Sequence, residues 1–525
     1  MTHPTTTLKD LLRQRAYDHP KNPLLISKDG RFTYGDFQQE VYRVANAFLR
    51  LGVCKGDKVA VLLSNCPEFL LAVFAAAEIG AVFVPINTAF SADEVGYVLD
   101  HADSGCLITE RSYLALIDRV RDRCPQLKRV IALGKKSEPG CFGWDELLHG
   151  ASDKAPAIAV QADDLVSITY TSGTTDRPKG VMLTQFTYAF APQKRAEALG
   201  WNERDRALVM LPLFHVNALC HIALAMISVG GSLVLREKFS ASHFWDEVRE
   251  YGVTTSSLMR TIPTILLNQP ERSDDSQNPL RLAVALLPPD LHLRFEQRFD
   301  LTVVGSYSLT EDILSVLGPT AKTKRKLGSC GLPAAPEAHR LRITDEAGND
   351  LPPGKLGEIV KQSPAVMRGY YKNPAATAEA LREGWLYTGD LGYIDDDGFL
   401  YFIDRKKDMI KRGDENVSAE EVERVLNSHP QIAESAVVGV ADPIRQEEIK
   451  ACVVLKPPAT AETVSPEAIW SFCRERLAAF KVPRYIEYHD SLPKTSSVKV
   501  QKSLLREEAK AGPHAVFDRQ APKES

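Results

Sequence analysis

The 525-residue chain has no CxxC pair among its nine cysteines (Cys54, Cys66, Cys106, Cys124, Cys141, Cys220, Cys330, Cys452 and Cys473). Scattered and odd in number, they exclude the ligand spacing of a zinc ribbon and a fully paired disulfide framework, and fit reduced, buried thiols. No basic run is long enough to track a nucleic-acid backbone, and 64 basic residues nearly cancel 68 acidic ones. A nucleic-acid partner is therefore not expected. The amino terminus, MTHPTTTLKDLL, lacks the basic-then-apolar pattern of a signal peptide, and the expected compartment is the cytoplasm. The most apolar stretch, Cys66–Asn87, is broken by Glu68, Glu78, Gly80 and Pro85. It reads as a buried helix followed by a strand, not as a membrane span. Internal repeats and low-complexity segments are also missing.

What is present is a chain long enough for more than one core. Apolar strand-like runs such as VAVLLS (Val59–Ser64), AVFVPI (Ala81–Ile86) and SLVLR (Ser232–Arg236) alternate with helical-period segments over the first four-fifths of the chain. That alternation predicts α/β layers with parallel sheets. From Asp395 charges crowd around one short strand, and Ser418-Ala-Glu-Glu421 then reads as a capping box, followed by AVVGV, ACVVLK and a helix near Ile469–Phe480. We place a boundary near Arg405, giving a large N-terminal unit over 1–404 and a small α+β unit over 405–525. The tail after Gly512 is expected to fray.

Tyr170–Gly180 reads YTSGTTDRPKG. It follows an alternating strand (Leu165–Tyr170), and successive amides in such a turn form a nest for anionic oxygens, which hydroxyls and a lysine complete. An ordinary polar loop has the same composition. It is not a Walker A loop, because GK[ST] is absent at the required spacing.

The segment resembles the signature loop of the adenylate-forming (ANL) superfamily, whose usual form is TSGTTGxPKG: acyl-CoA synthetases, luciferases and peptide-synthetase adenylation domains. Matches in the same order follow at LPLFH (Leu211–His215), YSLTE (Tyr307–Glu311), YTGD (Tyr387–Asp390), DRKKD (Asp404–Asp408) and PKTSSVK (Pro493–Lys499). RGDENVS, PIRQEEIKA and FKVPRY further resemble the crotonobetaine/carnitine-CoA ligase branch. The combination is also similar to natural-product ligases of bacteria that handle diterpenoid acids.

The resemblance implies the ANL fold, with a large layered N-terminal domain and a small mobile lid hinged at Lys407. It implies two half-reactions: a carboxylic acid and ATP give an acyl adenylate and pyrophosphate, and the thiol of CoA then displaces AMP. Thr171, Ser172, Gly173, Thr174, Thr175 and Lys179 would cradle pyrophosphate, Thr310 would touch the α-phosphate and Glu311 would hold Mg²⁺. Tyr307 would stack on adenine, while Asp390 and Arg405 would bind the ribose region. Lys499 would bridge substrate carboxylate and α-phosphate in the first half-reaction. His215 would stand between acyl pocket and thiol path, and after rotation Lys411 and Gly413 would face nucleotide and pantetheine. Taken singly, Asp390 reads as a turn aspartate, Arg405, Lys407, Lys411 and Lys499 as solvated surface cations, and His215 as a packed histidine. Only their shared order makes them a site.

Four positions depart from the family's usual glycine: Asp176, Ser308, Asp414 and Val498. Each adds a side chain where positive φ or close ligand approach was served. A carboxylate about 5 Å from one phosphate charge costs ~3 kcal/mol at an effective dielectric near 20, and ATP places several charges there. The acyl adenylate carries one phosphate only, so the cost of Asp176 falls selectively on ATP. Val498 adds β-branched backbone restriction directly before Lys499. Three readings follow: an enzyme biased to the thioester-forming half, supplied with acyl adenylate by a separate adenylating enzyme; a complete ATP-dependent ligase; and a non-catalytic protein that binds acyl nucleotide or CoA. A carrier-protein thiol in place of CoA, and a homodimer, stay open.

Overall fold

The computed structural model describes residues 6–28, 30–134, 137, 140–171, 177–259, 262–406, 408–412, 415–442, 445–494, 500–510 and 517–519. Its architecture is layered α/β. One eight-stranded sheet runs in the order 369–370, 179–184, 165–171, 82–85, 58–62, 104–109, 129–132, 142–143. It is parallel except at the hairpin of 165–171 with 179–184 and at the added strand 369–370. A seven-stranded sheet, ordered 302–304, 282–284, 255–257, 206–209, 232–235, 23–27, 30–33, is parallel up to its terminal hairpin. This is the layering that alternating strand and helix patterns predict.

The helix Pro67–Ile79 joins these layers. Proline at its first turn and Gly80 at φ 69° as left-handed cap bound it, and every residue but Glu68 is buried. Glu78, inside it, is held by the Arg13 guanidinium and by Gln38. The following strand, Val82–Pro85, is buried throughout. Cys66–Asn87 is thus a helix and strand of the core, and among the described residues no helix is long and apolar enough to cross a membrane.

A smaller antiparallel sheet contains 340–344, 357–362, 385–394 and 381–382, with 400–405 paired to 385–394. The strands from Met409 onward form a separate sheet: 415–418, 409–412, 446–455, 485–488 and 517–518, with 432–442 on 446–455. Here local structure departs from the sequence reading in three places. Ser418 caps the helix Ala419–Asn427 through the Glu421 amide, but Glu421 does not close a capping box; its carboxylate takes both bonds of Lys481, at 2.7 and 2.8 Å. Asp404 supplies the second cap instead, accepting from the Glu420 amide at 3.1 Å and the Ser418 hydroxyl at 2.8 Å.

The helix expected near Ile469–Phe480 runs from Pro466 to Arg474: Ser465 caps its start, and the chain then makes a separate 3-10 turn, Ala479–Lys481, that ends at Val482, extended (ψ 125°) ahead of Pro483. Part of the tail after Gly512 is ordered: Phe517–Asp518 pairs with Tyr485–Ile486, and Asp518 receives the Arg484 fork at 3.0 Å.

Under the 282–304 strands, Glu296 ties the helix Pro289–Phe299 to its neighbours. It accepts from the Val303 amide at 2.7 Å and from both arms of Arg325, with His292 3.4 Å away. Burial pushes its carboxyl up, but His292, Arg325 and the Val303 amide outweigh that and bring it down to about 2. A depressed carboxylate stabilises the fold above its unfolded pKa and loses that contribution as pH falls through the folded one. A drop from about 4.5 to about 2 corresponds to ~3 kcal/mol, lost between those pH values. The Glu296→Gln variant is accordingly expected to unfold at lower urea than wild type at pH 7, with the gap closing by pH 2. A gap independent of pH would show that the carboxylate's charge contributes nothing.

Candidate active site

The pairing of strands 385–394 and 400–405 sets Asp390 directly opposite Arg405. Gly389, at φ 69°, turns the chain just before, and the Thr388 hydroxyl accepts from the Asp390 amide at 3.1 Å. Asp390 is buried, 2% exposed, with Arg405 Nε 3.1 Å from Oδ1 and the Tyr307 hydroxyl donating to Oδ2 at 2.8 Å. Three residues expected at the nucleoside therefore meet, although Tyr307 and Asp390 stand 83 positions apart. Burial and then the Asp390 carboxylate push the Tyr307 phenol well up, so it stays a donor. Burial pulls Arg405 down, but Asp390 and then Glu311 overcome this and hold it above its ordinary value. Asp390 is thus a buried carboxylate with dedicated partners rather than an exposed turn aspartate.

Tyr307 is itself largely covered. Phe402 lies stacked at a centroid separation of 6.0 Å, and Lys361 Nζ is 5.6 Å from the ring centroid, leaving 8% of the residue exposed. An adenine stacked on Tyr307 would have only the remaining ring surface to use.

A second group forms around Glu311. Its Oε1 accepts from the Tyr370 hydroxyl at 2.9 Å, and Lys179 Nζ lies 5.2 Å from the Tyr370 ring centroid. Tyr370 reaches this place because strand 369–370 adds to 179–184, with Tyr370 opposite Val181. Burial first, then Glu311, pushes its phenol up. No motif marked Tyr370; its contribution comes from sheet pairing, which the GYY segment does not announce. One Glu311 oxygen is engaged by Tyr370, and a single carboxylate fits what Mg²⁺ asks of a protein, one or two carboxylates with phosphate oxygens supplying further ligands. Mg²⁺ there would neutralise phosphate charge; Glu311 would hold it and Lys179 would face the anionic oxygens.

The base of the hydroxyl-rich loop is also built. Thr171 and Lys179 are opposite one another in the hairpin, and the Thr171 hydroxyl donates to the Lys179 carbonyl at 3.4 Å. Tyr170 bonds His101 Nδ1 at 2.7 Å, while the Tyr97 hydroxyl donates to the Pro178 carbonyl at 3.2 Å and stacks under Arg177. These aromatic props, unmarked in the sequence, clamp both stems of the loop. Its centre, Ser172, Gly173, Thr174, Thr175 and Asp176, lies outside the described residues, as do Lys407, Gly413, Asp414, Val498 and Lys499.

Thr310 and Ser308 lie half-buried between Tyr307 and Glu311. Ser308 is not among the non-glycine residues at positive φ, so this departure from glycine demands no left-handed backbone. His215 is half-buried against Phe214, ring centroids 4.7 Å apart, immediately ahead of the π-helix Asn217–Leu224. Lys411 sits exposed on strand 409–412 with its amide on Glu447 at 2.7 Å. Among the described residues no hydrogen bond or ion pair joins its side chain to Tyr307, Asp390 or Arg405.

The profile of the "AMP-binding enzyme" family matches residues 12–371, and that of the "AMP-binding enzyme C-terminal domain" matches 421–499. The chain belongs to the AMP-binding enzyme family. This AMP-binding enzyme is 37% identical over 487 residues to the crotonobetaine/carnitine–CoA ligase of Salmonella paratyphi B, covering 91% of this chain and 93% of that one. The Escherichia coli O9:H4 ligase of the same name is 37% identical over 506 residues, 94% and 96% of the two chains. Among solved structures, the anthranilate CoA ligase AuaEII bound to anthranoyl-AMP superposes with TM-score 0.89 at 28% identity, covering 97% of this chain and 98% of that one. The o-succinylbenzoate CoA synthetase of Bacillus subtilis with OSB-AMP gives 0.83 at 31% identity, covering 96% and 99%. The AMP-binding enzyme is an acid–thiol ligase of the adenylate-forming superfamily.

Proposed function

We propose that this enzyme forms an acyl-CoA thioester through an acyl adenylate and is biased to the second half-reaction, acyl adenylate plus CoA. The observation that carries this reading is Asp176, a carboxylate in the hydroxyl-rich loop between Thr171 and Lys179, whose hairpin pairing is compatible with a phosphate cradle. Its charge opposes a polyphosphate far more than a single phosphate. The group in which Tyr307 and Arg405 meet on the buried Asp390, which suits a nucleoside bearing one phosphate, is retained in full. In this reading Asp390 accepts from the ribose hydroxyls, Arg405 orients beside them, and Thr310 contacts the one phosphate. His215 borders the thiol's approach, and Lys411 and Gly413 approach after rotation of a lid formed by 405–525 about Lys407.

A second reading, the complete ATP-dependent ligase, is favoured by Glu311 and Lys179 standing together beside Tyr370, the pair a magnesium–polyphosphate requires. Here Lys499 would bridge carboxylate and α-phosphate.

Two reactions separate them. Purified full-length protein is given acid, ATP and Mg²⁺ while pyrophosphate is followed, and separately given synthetic acyl adenylate and CoA while thioester is followed. Thioester from the adenylate, with pyrophosphate release slower by roughly 30-fold or more, is the expected result. Rapid pyrophosphate release would establish the complete ligase. Silence in both reactions across aliphatic, aromatic and terpenoid acyl groups would leave the non-catalytic protein.

A further inference from the structure

Arg195 is a buried cation that no acid answers among the described residues. It lies on the helix Gln185–Ala198 and is 0% exposed; its Nη1 donates to Ser315 Oγ at 2.8 Å and Ser306 Oγ at 3.2 Å. Its Nε and Nη2 have no partner among the described residues. Burial alone acts on the guanidinium, pulling it down to about 9. The fully buried Lys361, by contrast, has Asp312, and the half-buried Arg412 has Glu448. A buried charge without a partner is among the most costly features of a protein interior, and such groups concentrate at sites that receive a ligand.

The neighbouring π-helix adds two more unsatisfied groups. His221, 1% exposed, donates from Nε2 to the Ile313 carbonyl at 2.9 Å, which leaves Nδ1 a lone pair without a partner. Asn217 Oδ1, four positions earlier, is unpartnered as well. Burial and then the charge of Arg195 hold the His221 ring neutral, down to about 3. Ser306 directly precedes Tyr307, and Asn217 follows His215 by two residues. The Arg195 group is thus bonded to the residue that precedes Tyr307 and neighbours the π-helix that follows His215, and the acyl group is taken to reach it if the enzyme acts as proposed above. π-helical segments of this kind recur at functional sites.

We infer that Arg195, anchored by Ser306 and Ser315, reads a second oxygen function on the acyl group, so that the substrate is an oxygen-bearing acid rather than a plain hydrocarbon one. The oxygen accepts the Nε and Nη2 protons, and Asn217 and His221 accept from a hydroxyl or water beside it. The inference rests on the acyl-adenylate reading, because it takes the acid's reacting carboxyl to lie by Thr310 and His215. A pocket built to hydrogen-bond an oxygen rejects the analogue lacking it strongly, since its buried donors are then left unpaired.

The test titrates full-length protein with non-reactive acyl-sulfamoyl adenosines on aliphatic, aromatic and polycyclic skeletons. Each skeleton is made unsubstituted, with a distal ketone, and with a distal carboxylate, and sulfamoyl adenosine alone is the reference. On at least one skeleton, a ketone or carboxylate form is expected to bind roughly 100-fold tighter than its unsubstituted parent. Preference for the carboxylate assigns an anionic oxygen, and preference for the ketone a neutral one. Arg195→Met is expected to erase the gap, Arg195→Lys to keep part of it, and Ser315→Ala to narrow it by loosening the guanidinium. The wild-type ranking decides the matter even if Arg195→Met fails to fold. Equal binding of all three forms, or preference for the unsubstituted one, overturns the inference and leaves the acyl-adenylate reading intact. Failure to bind sulfamoyl adenosine or any conjugate overturns both.

Discussion

Asp176→Gly is expected to raise ATP-dependent pyrophosphate release by roughly 30- to 1,000-fold, the kinetic equivalent of removing ~2 to 4 kcal/mol of repulsion between its carboxylate and the ATP phosphates. Thioester formation from synthetic acyl adenylate should change far less, because that substrate brings one phosphate. Asp176→Asn separates charge from bulk: asparagine tolerates left-handed backbone as aspartate does but carries no charge. It is expected to recover most of the gain. If the limit is instead the aim of Lys499, Val498→Gly will be the substitution that raises the rate. ATP use unchanged in the Asp176→Gly/Val498→Gly double variant would remove the electrostatic explanation altogether.

The second large effect is on stability. Lys361 and Asp312 are both fully buried; Nζ lies 3.1 Å from Asp312 Oδ2, 3.1 Å from the Leu314 carbonyl and 3.3 Å from the Asp312 carbonyl. Asp312 Oδ1 accepts from the Ser363 hydroxyl at 2.9 Å and the Leu314 amide at 3.1 Å. The pair braces the segment that carries Thr310 and Glu311, directly under Tyr307. Asp312→Ala strands a buried ammonium and is expected to cost about 3 to 5 kcal/mol. It should lower the melting temperature by several degrees or prevent accumulation of folded protein. Adding Lys361→Met removes the stranded charge, and the double variant is expected to be more stable than Asp312→Ala alone. Thermal unfolding of the three proteins checks this. A double variant no better than the single one would mean that the hydrogen bonds of Asp312, not its charge pairing, carry the effect.

Local signals were legible where one chain segment suffices. Cys66–Asn87 showed as helix and strand because charge, glycine and proline punctuate the apolar run at the places where the structure caps and turns it. The strand leading into the hydroxyl-rich loop followed from alternation along Leu165–Tyr170. The helix at Pro466–Arg474 starts and ends several residues before the expected one, since serine–proline at its start outweighs apolar periodicity and the last expected turn forms a separate 3-10 segment. Glu421 was read as half of a capping box, yet Lys481, 60 positions away, takes it. A short-range hydrogen bond competes with a full ion pair there, and the ion pair wins.

The sequence by itself determined the family, the α/β class and the order of the motifs, because these reside in residue types at short fixed spacings. It also placed the aspartate in the hydroxyl-rich signature loop, where its charge needs no coordinates to be counted. Tertiary structure alone decided that Tyr307 and the more exposed Arg405 meet on the buried Asp390 carboxylate, that Tyr370 joins Glu311 to Lys179, and that Arg195 is a cation without an acid among the described residues. Burial and partnership depend on what distant segments bring to the same place, and sheet pairing, not spacing along the chain, sets that.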